Sequence, residues 1–220
     1  MIELVIFDCD GVLIDSEVIS SEVLIQELAL LSITIDRAYV RQHFLGRSFP
    51  TVARIISERF ATPLPSDFEQ RYRSALLQRF EYDLHPTEGV REALATLSIP
   101  KCVATSSSPP RVKKSLEITD LKSFFGEDVF TASLVERGKP FPDLFLYAAD
   151  KMGSNPETTL VIEDSLPGIM AARAAGMHVV GYVGGSHLKG SGIQGVERLV
   201  TFDNWKDLPQ VLENYSTRSQ

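Results

Sequence analysis

Four short apolar runs along the chain predict buried β-strands. They cover residues 4–7, 101–105, 160–162 and 178–182, and a weaker run covers residues 129–131. Apolar runs of this length that do not alternate with polar residues are typical of strands covered on both faces. Between the runs, apolar residues recur at helical spacing, as Val90, Leu94 and Leu97 do. Strands that alternate with helices in this way predict an α/β fold with a doubly wound parallel sheet.

Residues 16–83 have a different pattern, which predicts helices and no strand. Four amphipathic stretches follow one another there, and the fourth opens with a capping-box pattern from Ser66 to Glu69. We therefore predict an α/β core domain formed by residues 1–15 and 84–220, and an inserted all-helical cap domain formed by residues 16–83. An insertion directly after the carboxyl end of a strand lies over the edge where open α/β sheets bind ligands, so the cap is a candidate lid.

Two segments near the end of the chain carry little secondary-structure signal. Residues 184–195 are rich in glycine and serine and predict a surface loop, and residues 214–220 predict a frayed tail. The four histidines are scattered without the spacing of metal ligands, and we assign them no role.

Composition and charge narrow the classes of function. The chain has 22 basic and 29 acidic residues, a net charge of −7, and so lacks the basic surface that general nucleic-acid binding requires. No apolar stretch approaches the ~18 residues of a membrane helix, and no signal peptide is apparent, so we expect no membrane partner and a cytoplasmic protein. The two cysteines, Cys9 and Cys102, lie in apolar runs and predict buried free thiols, in keeping with a reducing compartment.

Acidic residues follow two of the predicted strands. Asp8 and Asp10 come directly after the first strand, and Glu163 and Asp164 come directly after the strand at residues 160–162. In a doubly wound sheet these strand ends meet at one edge, where like charges are costly unless a cation or a shared proton offsets them. Mg²⁺ prefers oxygen ligands from few carboxylates and keeps phosphate oxygens as further ligands. The pattern therefore predicts a magnesium site.

Hydroxyl and basic side chains at the same edge match a phosphoryl site. Ser106 and Ser107 follow the second strand, ahead of Pro109, which suits a helix start where hydroxyl and N–H groups can hold phosphate oxygens. Lys139 lies ahead of another predicted helix and supplies a positive charge for the phosphoryl group and for Asp8. Taken singly, each feature has an ordinary explanation: a solvated turn, a helix-terminal charge pair, a surface lysine or a helix cap. Together and in this order they favour phosphoryl transfer.

These residues resemble the four motifs of the haloacid dehalogenase superfamily. The stretch 8–16, Asp-Cys-Asp-Gly-Val-Leu-Ile-Asp-Ser, is similar to the first motif, Ser106 to the second and Lys139 to the third. Glu163-Asp164 with the alanine-rich stretch 171–177 is similar to the fourth. The resemblance covers nearly the whole chain and is greatest to the subgroup of β-phosphoglucomutases and phosphoglycolate-phosphatase-like hydrolases.

The resemblance implies a role for each residue. Asp8 attacks phosphorus and forms an aspartyl-phosphate, and Asp10 protonates the leaving oxygen and then deprotonates the hydrolytic water. Ser106 and Lys139 bind the oxygens of the transferring phosphoryl group. Mg²⁺ is implied to be held by the Asp8 carboxylate, the Asp10 backbone carbonyl and Asp164, with Glu163 as a ligand or directly behind the ligands.

The predicted cap domain departs from the mutase pattern of this subgroup. Where the mutases carry a histidine and an arginine for the second sugar position, this chain has Ser20 and Phe49, so the resemblance favours hydrolysis. Gly46-Arg47 still resembles the substrate-facing loop, and Arg47 is a candidate for binding a second anionic or polyhydroxyl group.

We therefore predict a magnesium-dependent phosphatase for a small phosphorylated metabolite, a sugar or sugar-acid phosphate, acting as a monomer or weak homodimer. One alternative is a sugar phosphomutase, which would give an isomerised sugar phosphate and little free phosphate. Alternatives of another class are a receiver-like module, which would hold a long-lived phospho-Asp8 but lacks a lid, and a sugar-phosphate-binding protein on a degenerate scaffold.

Overall fold

A single parallel sheet of six strands forms the centre of the computed structural model, which describes residues 1–216. The strand order is β3-β2-β1-β4-β5-β6. The strands are β1 Leu4–Phe7, β2 Lys101–Thr105, β3 Val129–Thr131, β4 Thr159–Glu163, β5 His178–Tyr182 and β6 Thr201–Phe202. The predicted fold class is confirmed. The sequence missed only β6 among these strands, because its two residues are too few to form an apolar run.

Helices cover both faces of the sheet. The α-helices are α1 Glu17–Ala29, α2 Arg37–His43, α3 Phe49–Phe60, α4 Phe68–Asp83, α5 Val90–Thr96, α6 Pro109–Ile118, α7 Asp143–Lys151, α8 Leu166–Ala174 and α9 Leu208–Ser216. Alternate residues of β1 enter different apolar clusters: Val5 and Phe7 lie in one, and Leu4 and Ile6 in the other. Burial on both faces explains why β1 has no polar alternation.

Helices α1 to α4 lie between β1 and β2 in chain order, and we call them the cap helices. Two adjacent chain segments connect them to the sheet: the Asp15 N–H donates to the His85 carbonyl at 2.9 Å, and Ile14 forms a bridge with Pro86. Helix α1 packs on α4, and α4 contacts α6 beside the sheet. The division into a core domain and a cap domain at residues 16 and 83 stays a prediction.

Two local predictions were wrong. Helix α4 begins at Phe68 with Asp67 at its N-cap position and no side-chain cap, and Glu69 accepts a hydrogen bond from Arg73 Nε at 2.8 Å instead of closing a capping box with Ser66. Residues 214–216 are not frayed but end α9, where the Tyr215 hydroxyl donates to the Val179 carbonyl at 2.9 Å. The remainder of the predicted tail, residues 217–220, lies outside the described residues. No helix within residues 1–216 is long and apolar enough to cross a membrane.

Candidate active site

The acidic residues collect where the strand order reverses. Strands β1 and β4 are direct neighbours, with Phe7 aligned to Ile162, and β2 pairs with β1 on the other side. Asp8 follows β1, Glu163 ends β4 and Asp164 follows it. The crevice at such a reversal, at the carboxyl ends of the strands, is where open α/β sheets bind ligands.

A buried lysine links the two acidic segments. Lys139 Nζ donates to Asp8 Oδ1 at 2.6 Å, to Glu163 Oε1 at 2.7 Å and to the Ala104 carbonyl at 3.1 Å. An ammonium group has three donors, so all of its hydrogen-bonding capacity is used. Burial alone would lower the pKa of Lys139, but the charges of Asp8 and Glu163 outweigh it and hold the pKa above its ordinary value. The site therefore contains a permanent positive charge beside Asp8.

Glu163 is fixed on both sides. Its Oε1 accepts from Lys139, and its Oε2 accepts from the backbone N–H groups of Asp164 and Ser165 at 2.9 and 2.8 Å and from the Ser165 hydroxyl at 2.9 Å. Gly168 in α8 makes this packing possible, because a Cβ there would lie 1.7 Å from Glu163 Oε1. Ser165 also caps α8 by accepting from the Gly168 N–H at 3.2 Å.

Three of the carboxylates can share a cation. Asp8, Glu163 and Asp164 each offer one oxygen, and these oxygens lie within 4.8 Å of one another. Burial is the main cause that raises the pKa of Asp8 and of Asp164 well above ordinary values, and the neighbouring carboxylates add to it. Asp164 Oδ2 is buried and has no hydrogen-bond partner among the described residues. An orphaned carboxylate oxygen within an acidic, all-oxygen set fits a hard divalent cation.

Asp10 lies outside this group of carboxylates. Its Oδ1 accepts from the Ser16 hydroxyl at 2.6 Å and from Arg111 Nη2 at 2.6 Å, and its Oδ2 accepts from the Ser107 hydroxyl at 2.5 Å. Burial would raise the pKa of Asp10, but the Arg111 charge and the hydroxyl donors outweigh it and hold the pKa below the ordinary value. The Asp10 side chain is thus an ionised carboxylate beside the group formed by Asp8, Glu163 and Asp164. Only the Asp10 backbone carbonyl remains available as the metal ligand that the resemblance implies.

Arg111 was not predicted from the sequence. It contacts Asp10, and its Nη2 also donates to the Ser20 hydroxyl of α1 at 2.9 Å. A usable signal existed, because Pro109 and Pro110 start α6 directly after the second strand and so place Arg111 in the first turn at the sheet edge.

The two serines after β2 face different partners. Ser106 Oγ donates to the Gly46 carbonyl at 3.0 Å, and Ser107 Oγ donates to Asp10, so neither hydroxyl donates to Asp8. Gly46 has φ +73° and approaches the sheet so closely that a Cβ would lie 2.3 Å from Ser165 Oγ. The predicted substrate loop therefore reaches the end of β2, and Ser106 joins the two.

One cavity of about 560 Å³ brings most of the predicted site residues together. It is lined from the sheet edge by Asp8, Asp10, Ser106, Ser107 and Arg111, from the cap helices by Glu17, Ser20, Phe49, Tyr72 and Arg73, and from the loop between α2 and α3 by Gly46 and Arg47. Arg73 pairs with Glu69 and Arg111 pairs with Asp10, whereas Arg47 forms no ion pair within the described part of the chain. Lys139, Glu163 and Asp164 lie behind Asp8 and outside the cavity lining.

Ser20 and Phe49, which depart from the mutase pattern, both line this cavity. The buried Ser20 hydroxyl donates to the Ser16 carbonyl and accepts from Arg111. Phe49 stacks on Tyr72 with ring centroids 5.6 Å apart. Neither position offers a cation or an imidazole to a second sugar site.

His187 is a further residue that the sequence did not point to. Its Nε2 lies 2.8 Å from Asp164 Oδ2, without the alignment of a hydrogen bond. Burial lowers the pKa of His187, so the ring is neutral at neutral pH. No ligand spacing among the histidines could have revealed it, because the contact joins segments that only the fold brings together.

Comparison with known proteins identifies the family. The profile of the haloacid dehalogenase-like hydrolases matches residues 2–176. The chain belongs to this family. It is 31% identical over 189 residues to 6-phosphogluconate phosphatase of Escherichia coli (strain K12), a match that covers 86% of each chain. The predicted family and the predicted enzyme class, a phosphoric monoester hydrolase, are confirmed.

Solved structures of haloacid dehalogenase-like proteins superpose over nearly the whole chain. One of unknown function from Agrobacterium tumefaciens has a TM-score of 0.80 at 32% identity and covers 98% of this chain and 100% of its own. A putative β-phosphoglucomutase from Thermotoga maritima has a TM-score of 0.69 at 26% identity, with 97% of this chain and 99% of its own covered. Phosphatases and mutases thus share this fold, and the site residues must distinguish between them.

Proposed function

We propose that this hydrolase is a magnesium-dependent phosphatase that cleaves a small sugar or sugar-acid phosphate through an aspartyl-phosphate on Asp8. The observation that carries the proposal is the placement of Asp8: it lines the cavity while Lys139 holds its Oδ1 at 2.6 Å and Asp164 lies in the same carboxylate group. A fixed carboxylate beside a permanent cation is suited to attack an anionic phosphorus centre, because the positive charge offsets the repulsion between nucleophile and substrate.

Asp8 and Asp10 divide the chemistry between them. Asp10 is ionised while Arg111 is its partner, so it takes up a proton from solvent when it leaves Arg111 for the substrate. An Asp8 carboxylate oxygen then bonds to phosphorus as the ester P–O bond breaks, and the leaving oxygen takes that proton from Asp10. Water then attacks phosphorus, gives its proton to Asp10 and releases inorganic phosphate, which frees Asp8. Because Ser16, Ser107 and Arg111 occupy both oxygens of Asp10, Asp10 must exchange one of these partners to reach the substrate.

Asp8, Asp164 and the Asp10 backbone carbonyl would hold the Mg²⁺ ion. When bound, the ion neutralises charge on the phosphoryl oxygens and aligns the phosphate. Both oxygens of Glu163 are already hydrogen-bonded, to Lys139 and to the turn that carries Asp164. We therefore assign to Glu163 the role of orienting Lys139 and Asp164 rather than that of a ligand.

The cavity supports a substrate that carries a polar group beyond its phosphate. Its volume of about 560 Å³ falls in the usual range for small-molecule sites. Ser106 and Lys139 are the proposed phosphoryl contacts, with Ser107 completing the cradle. Because its three donors are already engaged, Lys139 must exchange one of its acceptors for a phosphoryl oxygen. Arg47, which forms no ion pair with a described residue, lines the same cavity from the loop between α2 and α3. The relative from Escherichia coli is named for 6-phosphogluconate, which is a sugar-acid phosphate with an anionic group at each end.

Hydrolysis is favoured over mutase chemistry by Ser20 and Phe49. A mutase must hold its sugar phosphate intermediate for a second transfer, and neither side chain offers a charged contact for that purpose. Water can therefore compete for the aspartyl-phosphate. The predicted cytoplasmic location and the monomeric or weakly dimeric state stay predictions.

A substrate screen tests the proposal. Phosphate release is measured from a panel of sugar, sugar-acid and two-carbon acid phosphates, with Mg²⁺ and with a chelator, and sugar products are separated by chromatography. We expect free phosphate from members of the panel only when Mg²⁺ is present. An isomerised sugar phosphate with little free phosphate would instead identify a mutase.

A further inference from the structure

The loop that carries His187 is anchored to the site. The backbone N–H and the hydroxyl of Ser186 both donate to Asp15 Oδ1, at 3.0 and 2.7 Å, and Leu188 is buried on the other side. The His187 side chain between them is only 8% exposed, although the glycine- and serine-rich sequence predicts a surface loop. The position of the imidazole is therefore built by its neighbours.

Gly11 leaves the space in which His187 meets Asp164. Gly11 has φ +78°, and a Cβ at this position would lie 1.9 Å from Asp164 Oδ2 and 2.8 Å from His187 Cε1. On the far side, a Cβ on Gly185 would lie 2.8 Å from the Gly11 carbonyl. Two close backbone approaches thus enclose one carboxylate and one imidazole.

Each group in this enclosure has buried polar atoms without a hydrogen bond to a described residue. Neither ring nitrogen of His187 nor Asp164 Oδ2 has a hydrogen bond to any described residue, yet Nε2 and Oδ2 are 2.8 Å apart. Buried polar atoms are costly when unpaired, so a small rotation of either side chain that aligns the N–H with the carboxylate is favourable.

We propose that His187 is a positioning residue for Asp164: its Nε2–H donates to the carboxylate and fixes the orientation in which Asp164 can hold the divalent cation. The inference rests on the proposed function, because it assigns Asp164 to the metal. Groups that orient a metal ligand in this way typically contribute 10- to 100-fold to metal affinity or activity. His187 itself is not part of the carboxylate group that can surround the ion.

Metal binding without substrate tests the proposal. Calorimetric titration of the full chain with Mg²⁺ and with Mn²⁺ would compare wild type with His187→Phe, which keeps the ring volume without a donor, and His187→Gln, which keeps an amide donor. His178→Phe is the matched control, since His178 lies at the opposite end of β5 and its ring contacts that of Tyr215 at a tilted angle. We expect the Kd to rise by about 10- to 100-fold in His187→Phe, by about threefold or less in His187→Gln, and not at all in the control.

Three results would overturn the inference. The first is a His187→Phe variant that folds and binds the metal as tightly as wild type does. The second is a His187→Gln variant that binds the metal as weakly as His187→Phe does. If His187→Phe does not fold, His187→Asn, whose shorter amide falls short of Asp164, takes its place against His187→Gln under the same criteria. The third is wild-type protein that binds neither metal, which would also remove the metal from the proposed function; wild type that binds metal but releases no phosphate contradicts the proposed function alone.

Discussion

Lys139 Nζ and Asp8 Oδ1 lie 2.6 Å apart, although 131 positions separate the two residues in the chain. The contact joins the segment after β1 to the segment ahead of α7 and lies beside Glu163 at the end of β4. Three segments at the sheet edge thus converge on the buried ammonium group of Lys139. The nucleophilic role proposed for Asp8 depends on this convergence.

Removing the Lys139 charge should cost both stability and activity. In Lys139→Met, the buried carboxylates of Asp8 and Glu163 lose their counter-charge, and breaking a buried ion pair in this way typically costs about 3–5 kcal/mol. Urea unfolding measures the loss, and the exposed Lys113→Met, which should change stability by less than about 0.5 kcal/mol, is the control. Equal stability of the two variants would contradict the account.

A methyl group at Gly168 should disturb Glu163. The added Cβ of Gly168→Ala would lie 1.7 Å from Glu163 Oε1, so Glu163 must move away from Lys139. We expect a loss of about 1–3 kcal/mol in unfolding free energy and a lower kcat. In the control Gly138→Ala, the new Cβ is 3.5 Å from Ala132 Cβ, an ordinary contact, and its stability should be close to that of wild type. Wild-type kcat in Gly168→Ala would argue that Glu163 does not support the site.

Glu17 should make stability depend on pH. Burial, with a contribution from Asp10, raises the pKa of Glu17 to about 8 in the folded chain, against about 4.3 when unfolded. Between these values the folded state binds more protons than the unfolded state, so the unfolding free energy falls as pH rises, by at most about 1.4 kcal/mol for each pH unit.

Glu17→Gln should remove this dependence. With both proteins in chelator, the unfolding free energy of Glu17→Gln should equal that of wild type below pH 4. The difference in favour of the variant should then grow up to about pH 8 and stay constant above it. Denaturant unfolding of the metal-free protein across this range measures it. A difference that does not vary with pH would show that Glu17 titrates normally.

Arg47 should discriminate among substrates. It lines the cavity and forms no ion pair with a described residue, so Arg47→Ala should raise KM by about 10- to 100-fold for esters with a second anionic group and change it little for esters without one. Steady-state kinetics on matched pairs, such as a sugar-acid phosphate and the corresponding sugar phosphate, provides the readout. Arg54→Ala, which removes an exposed arginine paired with Glu58, is the control. A uniform effect on both esters would exclude a role in specificity.

The strands and the acidic edge could be predicted from the sequence because their signals are local. Buried strands are short apolar runs, and side chains directly after parallel strands must meet at one edge, so four acids were expected together there: Asp8, Asp10, Glu163 and Asp164. Three of them do group, whereas the Asp10 side chain pairs with Ser16, Ser107 and Arg111 instead. The contacts of Ser106 with Gly46 and of His187 with Asp164 could not be predicted, because they depend on how loops fold over the sheet. The capping box predicted at the start of α4 was wrong because Glu69 has a competing partner, Arg73, one turn along the same helix.

Trapping of the phosphorylated enzyme tests the central claim most directly. Wild type and Asp8→Asn are mixed with the ³²P-labelled ester that wild type hydrolyses fastest, quenched in acid within the first turnover, and digested for peptide mapping. We predict hydroxylamine-labile label on the peptide that contains Asp8 in wild type, none in Asp8→Asn, and no phosphate release by the variant. Phosphate release by Asp8→Asn at the wild-type rate, or wild-type turnover with no label at Asp8, would contradict the mechanism.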